Sequence, residues 1–230
     1  MRGVLAIEGS QRVLGVALAC GGDEIVSVES TEDPRERDLL LPAINELCGR
    51  GRMLATDLKA VAVSTGPGGF TGLRVSVATA KGLCEALEIP AIDVPSALVA
   101  AAATMGDWSV VAPRVVVALA SKGERCWASN IVIDGSGELR VEWECAVGID
   151  EFVRSAPAVV VADDYLPAPM REWCKGSGIP LVVPRFCAVT CLRVAMAKFG
   201  RGETVDAIDL RPRYPREPEA VTLWRARQAE

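Results

Sequence analysis

Gly66-Pro67-Gly68-Gly69, followed by Phe70, Thr71 and Arg74, is the stretch whose residue types come closest to a binding site. Three glycines bring positive-φ backbone within reach, and Pro67 removes a donor. Thr71 is suited to cap a helix by accepting one of the unpaired N–H groups of its first turn. A glycine turn that opens onto a helix N-terminus offers free N–H groups and the positive end of a dipole, which together hold anions. No Gly-Lys-Ser/Thr follows, however, and the spacing is not that of a dinucleotide fingerprint. Two readings stand. Gly66, Gly68, Gly69, Thr71 and Arg74 form a phosphate cradle, or the same residues form a tight turn that seats a helix close to its strand.

A second candidate lies at Glu8-Gly9-Ser10, where a short strand ends. From the residues alone Glu8 and Ser10 belong to a plain strand-end turn. The chain has no histidine at all. That removes the usual neutral-pH proton carrier and excludes Ser-His-Asp and Cys-His catalysis. A zinc or iron site would need cysteine and carboxylate alone. The eight cysteines include no CxxC pair; Cys187 and Cys191 stand four apart on a predicted helix, where small buried core residues are the simpler reading. Asp163 and Asp164 end another strand, where solvated or capping carboxylates are expected. We therefore expect no catalytic residue and no metal site.

The elements that must position these groups follow from pattern. Gly3 to Ile7, Arg12 to Cys20 and Glu24 to Ser30 read as three antiparallel strands with turns at Gly9-Ser10-Gln11 and Gly21-Gly22-Asp23. Arg35 to Cys48 reads as a helix capped by Asp38, with Leu39, Leu40, Ala43, Ile44 and Leu47 on one face. Leu58 to Val63 is a strand leading into the glycine turn. The helix beyond it repeats Leu73, Val77, Ala80, Cys84 and Leu87 at helical spacing. A second stripe of Ser76, Thr79 or Ala80, and Leu83 is mostly small and invites another helix. Pro90 to Val94 is a strand and Ser96 to Met105 a helix capped by Ser96.

After Asp107 to Pro113, the chain starts a second series. Arg114 to Ala120 is a buried strand. Trp127 to Ile133 and Leu139 to Val147 make a hairpin around Asp134-Gly135-Ser136-Gly137. Ala158 to Asp164 is a strand, Pro167 to Cys174 a short helix, and Ile179 to Val183 a strand. Ala188 to Phe199 is a helix with Val189, Leu192, Ala195, Met196 and Phe199 inward. The tail is proline-rich and extended. Its Arg211, Arg213 and Arg216 stand among Asp206, Asp209, Glu217 and Glu219, which suits a solvated or lobe-crossing segment better than a phosphate site. At 230 residues and a net charge of −5 the chain lacks the basic surplus of an unaided nucleic-acid binder. No leader pattern or membrane-length apolar run is evident, so the cytoplasm is the expected compartment, with reduced thiols.

The string GPGGFTGLRVSVATAKGL closely resembles the signature of the TsaB (YeaZ) family, whose usual form is GPGSFTGLR with serine where Gly69 stands. The resemblance is strongest over residues 1–105. It implies an α/β, actin-like ATPase (ASKHA) fold with two lobes, residues 1–106 and 107–230, each a mixed β-sheet flanked by helices. It also implies a non-catalytic partner of a TsaD-like transferase, working with a TsaE-like ATPase on threonylcarbamoyladenosine at tRNA position 37. TsaD-like enzymes hold their metal with paired histidines, which this chain cannot do.

On that resemblance the docking helices carry Leu40, Ile44, Leu47, Phe70, Leu73, Ser76, Thr79, Ala80 and Leu83. The partner is the transferase or a second copy, tRNA is reached only through the complex, and ATP or ADP belongs at the shared interface rather than to this chain. The resemblance also implies a phosphate at the opening hairpin, where Ser10 would face it and Glu8 would order a magnesium-bound water. The family's Asp-Thr-Ser is replaced here by Glu8-Gly9-Ser10, its histidine before the leucine run by Arg37, and its Asp-Ala-Arg by Ala120-Ser121-Lys122. The alternatives are an active actin-like ATPase or sugar kinase and, last, a peptidase.

Overall fold

The structure, a computed structural model, describes residues 2–12, 14–30, 40–105, 114–133, 138–215, 224 and 228. The expected Asp38 cap with Arg37, the crossing at 107–113, the turn at 134–137, and Arg216, Glu217 and Glu219 lie outside the described residues.

Two five-stranded sheets share one topology. In the first, β1 (Arg2–Glu8), β2 (Gly15–Gly21) and β3 (Glu24–Glu29) are antiparallel, while β4 (Ala60–Gly66) and β5 (Ala91–Pro95) run parallel to β1. The order is β3-β2-β1-β4-β5. In the second, β6 (Arg114–Lys122), β7 (Arg125–Ile133) and β8 (Leu139–Val147) are antiparallel, and β9 (Val159–Ala162) and β10 (Leu181–Val182) are parallel to β6. Read from its far edge, β8-β7-β6-β9-β10 repeats the first order. The helices are α1 (Leu40–Arg50), α2 (Phe70–Leu87), α3 (Ser96–Met105), α4 (Ile149–Arg154), α5 (Ala168–Gly176) and α6 (Ala188–Gly200). This is the expected two-lobed, actin-like α/β architecture.

Alternation along the strands sets the layers, because successive side chains point to opposite faces. Leu5, Ile7, Val16, Leu18, Val61 and Val63 project to one side of the first sheet and pack under α1 and α2 with Leu47, Val77 and Cys84. Their neighbours Ala6, Ala17, Ala19, Ala60 and Ala62 project to the other side. That alanine face lets α6 lie close, through Ala188, Cys191, Leu192 and Ala195. The second sheet repeats the device. Val115, Val117, Ile131 and Val161 meet Ala97, Ala100 and Ala101 of α3, and Val116, Ala118 and Val160 meet Phe152 and Met170 of α4 and α5.

The boundary at residue 107 therefore separates the sheets but not the helices. α3 from the first half covers the second sheet, and α6 from the second half covers the first. The two helices pack against each other as a layer between the lobes.

Candidate functional site

Glu8 ends β1 and turns inward rather than toward solvent. Its Oε1 accepts the Ser10 N–H at 2.9 Å and the Ser10 hydroxyl at 2.6 Å. The carboxyl is 1% exposed, and its Oε2 has no hydrogen-bond partner among the described residues. Burial raises its pKa above the ordinary carboxylate value, and the Ser10 bonds together with the Ser64 hydroxyl offset this only in part. The plain strand-end reading of Glu8-Gly9-Ser10 fits this geometry, since a metal-ordering acid would have to face the cleft.

The glycine turn packs directly on that hairpin. The Gly69 N–H donates to the Ser10 carbonyl at 2.7 Å. A Cβ on Gly68 would run into the Ser10 backbone, and one on Gly72 into the Gly9 carbonyl. The glycines thus let two backbones touch, and the Gly69 donor that an anion would use is already engaged. Gly66, at φ +112°, closes β4; its N–H donates to the Ser96 hydroxyl at 3.0 Å, which in turn lies 2.8 Å from the Ser64 hydroxyl. Of the two readings of this turn, close packing has the geometry.

Three sequence expectations need correction here. Strand β4 does not stop at Val63 but continues through Ser64 and Thr65 to Gly66, because the parallel neighbour β5 still pairs with it there. Thr71 is not the cap of α2: Gly69 holds that position without a side-chain bond, and Thr71 sits exposed within the first turn. The Gly69–Ser10 contact anchors the chain two residues earlier and starts the helix at Phe70. The Ser96 hydroxyl, expected as a cap, faces β4 instead.

The expected docking residues divide by burial. Leu40, Ile44, Leu47, Leu73, Ser76 and Ala80 all lie inside the chain's own core, at 5% exposure or less. They hold α1 and α2 on the sheet and are closed to any partner in this arrangement. Thr79 and Leu83 are half-buried, and Leu83 packs on the first-lobe core. Phe70 is 54% exposed, with the Arg74 guanidinium 3.6 Å from its ring centroid.

The open face of α2 is shifted from the stripe expected. Val75, Ala78, Gly82 and Ala86 are exposed, at three- and four-residue spacing, and an added Cβ at Gly82 would meet nothing within 4 Å. The signal was present in the sequence, but small residues populate both sides of this helix. Only the orientation of the sheet decides which side is free.

Sequence reasoning missed the polar network where the lobes meet. Asp93 Oδ1 accepts the Thr65 hydroxyl at 2.5 Å, while its Oδ2 accepts from Arg213 Nη2 at 2.5 Å. The same guanidinium donates through Nη1 to Glu144 Oε1 on β8 at 2.7 Å. Burial alone would lower the Arg213 pKa, but the bonds and charges of Asp93 and Glu144 hold it above its ordinary value. Asp206 and Asp209 stand beside Arg213 in sequence, yet its partners Asp93 and Glu144 come from distant strands. The visible clue was a charged residue, Asp93, in an otherwise apolar strand.

The remaining candidates settle as structural parts. Asp163 Oδ1 accepts the Tyr165 N–H at 2.9 Å, a local turn bond. Cys187 accepts the Thr190 N–H at the start of α6, and Cys191 is fully buried. Ala120, at φ +51°, lies near the end of β6, whose strand runs on to Lys122 before turning at Gly123. Among the described residues there is no group of three or more potential metal ligands, and no helix is long and apolar enough to cross a membrane.

Duplicated sheets, exchanged helices and a hairpin pressed onto a glycine turn define an actin-like, two-lobed chain. A family model described as TsaD, tRNA N6-adenosine threonylcarbamoyltransferase, matches residues 35–141. The tRNA threonylcarbamoyladenosine biosynthesis protein TsaB of Escherichia coli (strain K12) is 34% identical over 128 residues, 54% of this chain and 53% of that protein. Its namesake from Bacillus subtilis (strain 168) is 34% identical over 88 residues, 38% of each chain. The chain thus spans about half the length, or less, of these curated relatives. YeaZ from Pseudomonas aeruginosa superimposes with a TM-score of 0.73 at 22% identity, covering 93% of this chain and all of that one. A second Pseudomonas aeruginosa structure, titled as similar to peptidase YEAZ, gives 0.75 at 22% identity over 94% of this chain and all of its own. In sequence and in fold the chain is similar to the TsaB (YeaZ) proteins.

Proposed function

We propose that this chain is a cytoplasmic, non-catalytic scaffold for a TsaD-like transferase. With a TsaE-like ATPase, it would serve threonylcarbamoyladenosine formation at tRNA position 37. The observation that carries the reading is the open stripe of α2. Val75, Ala78, Gly82 and Ala86 present small side chains along three helical turns, and small residues let a second helix approach closely and bury area without large side-chain ordering. The family name of the curated relatives supports the process. The inward-turned Glu8 and the engaged Gly69 N–H favour a scaffold over an actin-like ATPase or sugar kinase, which would aim an acid and free donors at a phosphate. Nucleotide, in this proposal, binds at the interface with the transferase, and tRNA is met only by the assembled complex. In the transferase's absence a second copy of the chain takes the same face.

The test uses Gly82→Arg. The site is solvent-exposed and unobstructed, so the variant should fold with unchanged or higher thermal stability, since a helix-interior glycine is unfavourable. Mixed with the cognate transferase, the wild-type chain should co-elute in gel filtration and support tRNA modification, whereas the variant should do neither. Equal binding by the variant, or no binding by the wild type, would remove the reading. Turnover of ATP by the isolated chain would favour the kinase-like alternative.

A further inference from the structure

Residues 205–214 run along the first lobe as a continuous strap and reach the second through the Arg213 side chain. It begins at Val205, which pairs antiparallel with Ala91 at the edge of β5, with backbone bonds of 2.9 and 3.0 Å. Lys81 of α2 donates to the carbonyls of Ile208 (3.2 Å) and Leu210 (3.3 Å), and the Leu210 side chain is buried in the first-lobe core. The Arg213 N–H then donates to the Thr65 carbonyl at 2.6 Å. A Cβ on Gly66 would collide with the Arg213 carbonyl, so the strap lies flat across the carboxyl end of β4. In open α/β sheets that end is where ligands bind.

From this point Arg213 reaches two acids on different sheets, Asp93 on β5 at 2.5 Å and Glu144 on β8 at 2.7 Å. Tyr214 continues over α2, where its hydroxyl accepts from Arg74 Nε at 3.0 Å and its ring lies 5.5 Å from that of Phe70. A second cross-lobe ion pair joins Arg201, just past α6, to Glu138 before β8, and Arg201 is braced by Glu203 at 2.5 Å.

We propose that the strap is an interlobe latch: Arg213 is a built-in cation that bridges the acid pair Asp93 and Glu144 and thereby sets the angle between the lobes. Two-lobed proteins commonly close around a ligand by hinge motion. In this chain a covalently attached side chain occupies the crevice, and the angle is set without one. Arginine suits the task because its fixed fork of donors serves two carboxylates at once. Removing it leaves two acids facing each other across the junction, and they push the lobes apart.

The experiment measures the lobe separation and the strap separately. Nitroxide labels at Glu85→Cys on α2 and Lys175→Cys on α5, in a full-length background with Cys145→Ser and Cys187→Ser, give an interlobe distance distribution by pulsed electron resonance. Hydrogen exchange with mass spectrometry reads protection of residues 205–215. Arg213→Gln should widen the distribution and speed strap exchange by about tenfold. Glu144→Ala removes the acceptor of Arg213 Nη1 and so cuts only the second-lobe end; it should widen the distribution while strap exchange stays within about twofold of the parent. This second variant decides the matter if Arg213→Gln fails to fold. A distribution that stays as narrow as the parent's in Glu144→Ala overturns the latch, whatever the strap does.

Discussion

Gly68 and Gly69 are neighbours of identical chemistry, yet the structure assigns them opposite responses to a side chain. Gly69 is the cap of α2 at φ −66°, ψ 126°, ordinary extended backbone, and a Cβ there would meet only the Ser10 carbonyl at 3.8 Å. Serine at this position adds a hydroxyl able to accept a first-turn N–H. Serine exceeds glycine as a cap by a few tenths of a kcal/mol. Loss of glycine's freedom in the unfolded chain adds about 0.4–1 kcal/mol. Gly69→Ser should therefore stabilise by about 0.5–1.5 kcal/mol, or about 2–5 °C in Tm for a chain of this size.

Gly68 has no such room, because its Cβ would fall on the Ser10 backbone. Gly68→Ala must push the turn off the hairpin and break the Gly69 N–H bond to Ser10. A lost buried hydrogen bond of about 1 kcal/mol and overpacking of about 1–3 kcal/mol make a cost of about 2–4 kcal/mol. Differential scanning calorimetry of the two variants beside the parent reads both signs. A Gly69→Ser variant less stable than the parent, or a Gly68→Ala variant equal to it, would refute the claim that these glycines serve backbone contact.

The remaining predictions concern burial and charge. Leu73→Ala should destabilise by about 2–5 kcal/mol in urea titration, because Leu73 is fully buried in its own core rather than offered to a partner. A folded-state pKa raised above the unfolded value makes Glu8 contribute stability at low pH that is lost as pH rises from about 4.5 through its folded pKa. Glu8→Gln keeps an acceptor for Ser10 and carries no charge. It should flatten that slope and be at least as stable as the parent at pH 8, as calorimetry across pH will show. Glu203 works the other way. The hydrogen bonds from Arg201 and Lys198 lower its pKa to about 2, so its contribution is present above about 4.5 and lost as pH falls toward 2. With 39% of its side chain exposed, solvent screening limits the effect to under about 1 kcal/mol, and Glu203→Gln should remove it from acid-unfolding curves.

The sequence carried the architecture well because every strand of both sheets is an alternating or continuous apolar run bounded by turn residues. The ten strands among the described residues fall where period and turn chemistry place them, apart from end positions such as the extension of β4 to Gly66 and of β6 to Lys122. The site was less legible, for a physical reason. Glycine, serine and threonine suit an anion cradle and a close backbone contact equally, and only the position of the opposing hairpin separates the two. The same holds for α2, where Ser76 and Ala80 turned to the sheet and Ala78 and Gly82 to solvent, a difference of two residues or about 200° around the helix. Arg213 shows the limit most plainly, since its two acids are 120 and 69 residues away and no local charge count reveals them.

The exchange of helices between the halves bears on why the lobes would need a latch at all. α3 and α6 fill the space between the sheets, where Ala97, Ala100, Ala188 and Ala195 allow close approach and Leu98, Val99, Leu192 and Val194 fill the rest with apolar packing that is non-directional. A layer of that kind fixes the separation of the lobes more firmly than their angle. Directional restraint must then come from groups with defined geometry at the rim. Arg213 with Asp93 and Glu144, and Arg201 with Glu138 and Glu203, supply it at two points near the edge strands β5 and β8. An apolar hinge layer and a charged rim divide the work: the first sets the distance between the sheets, and the second sets the tilt.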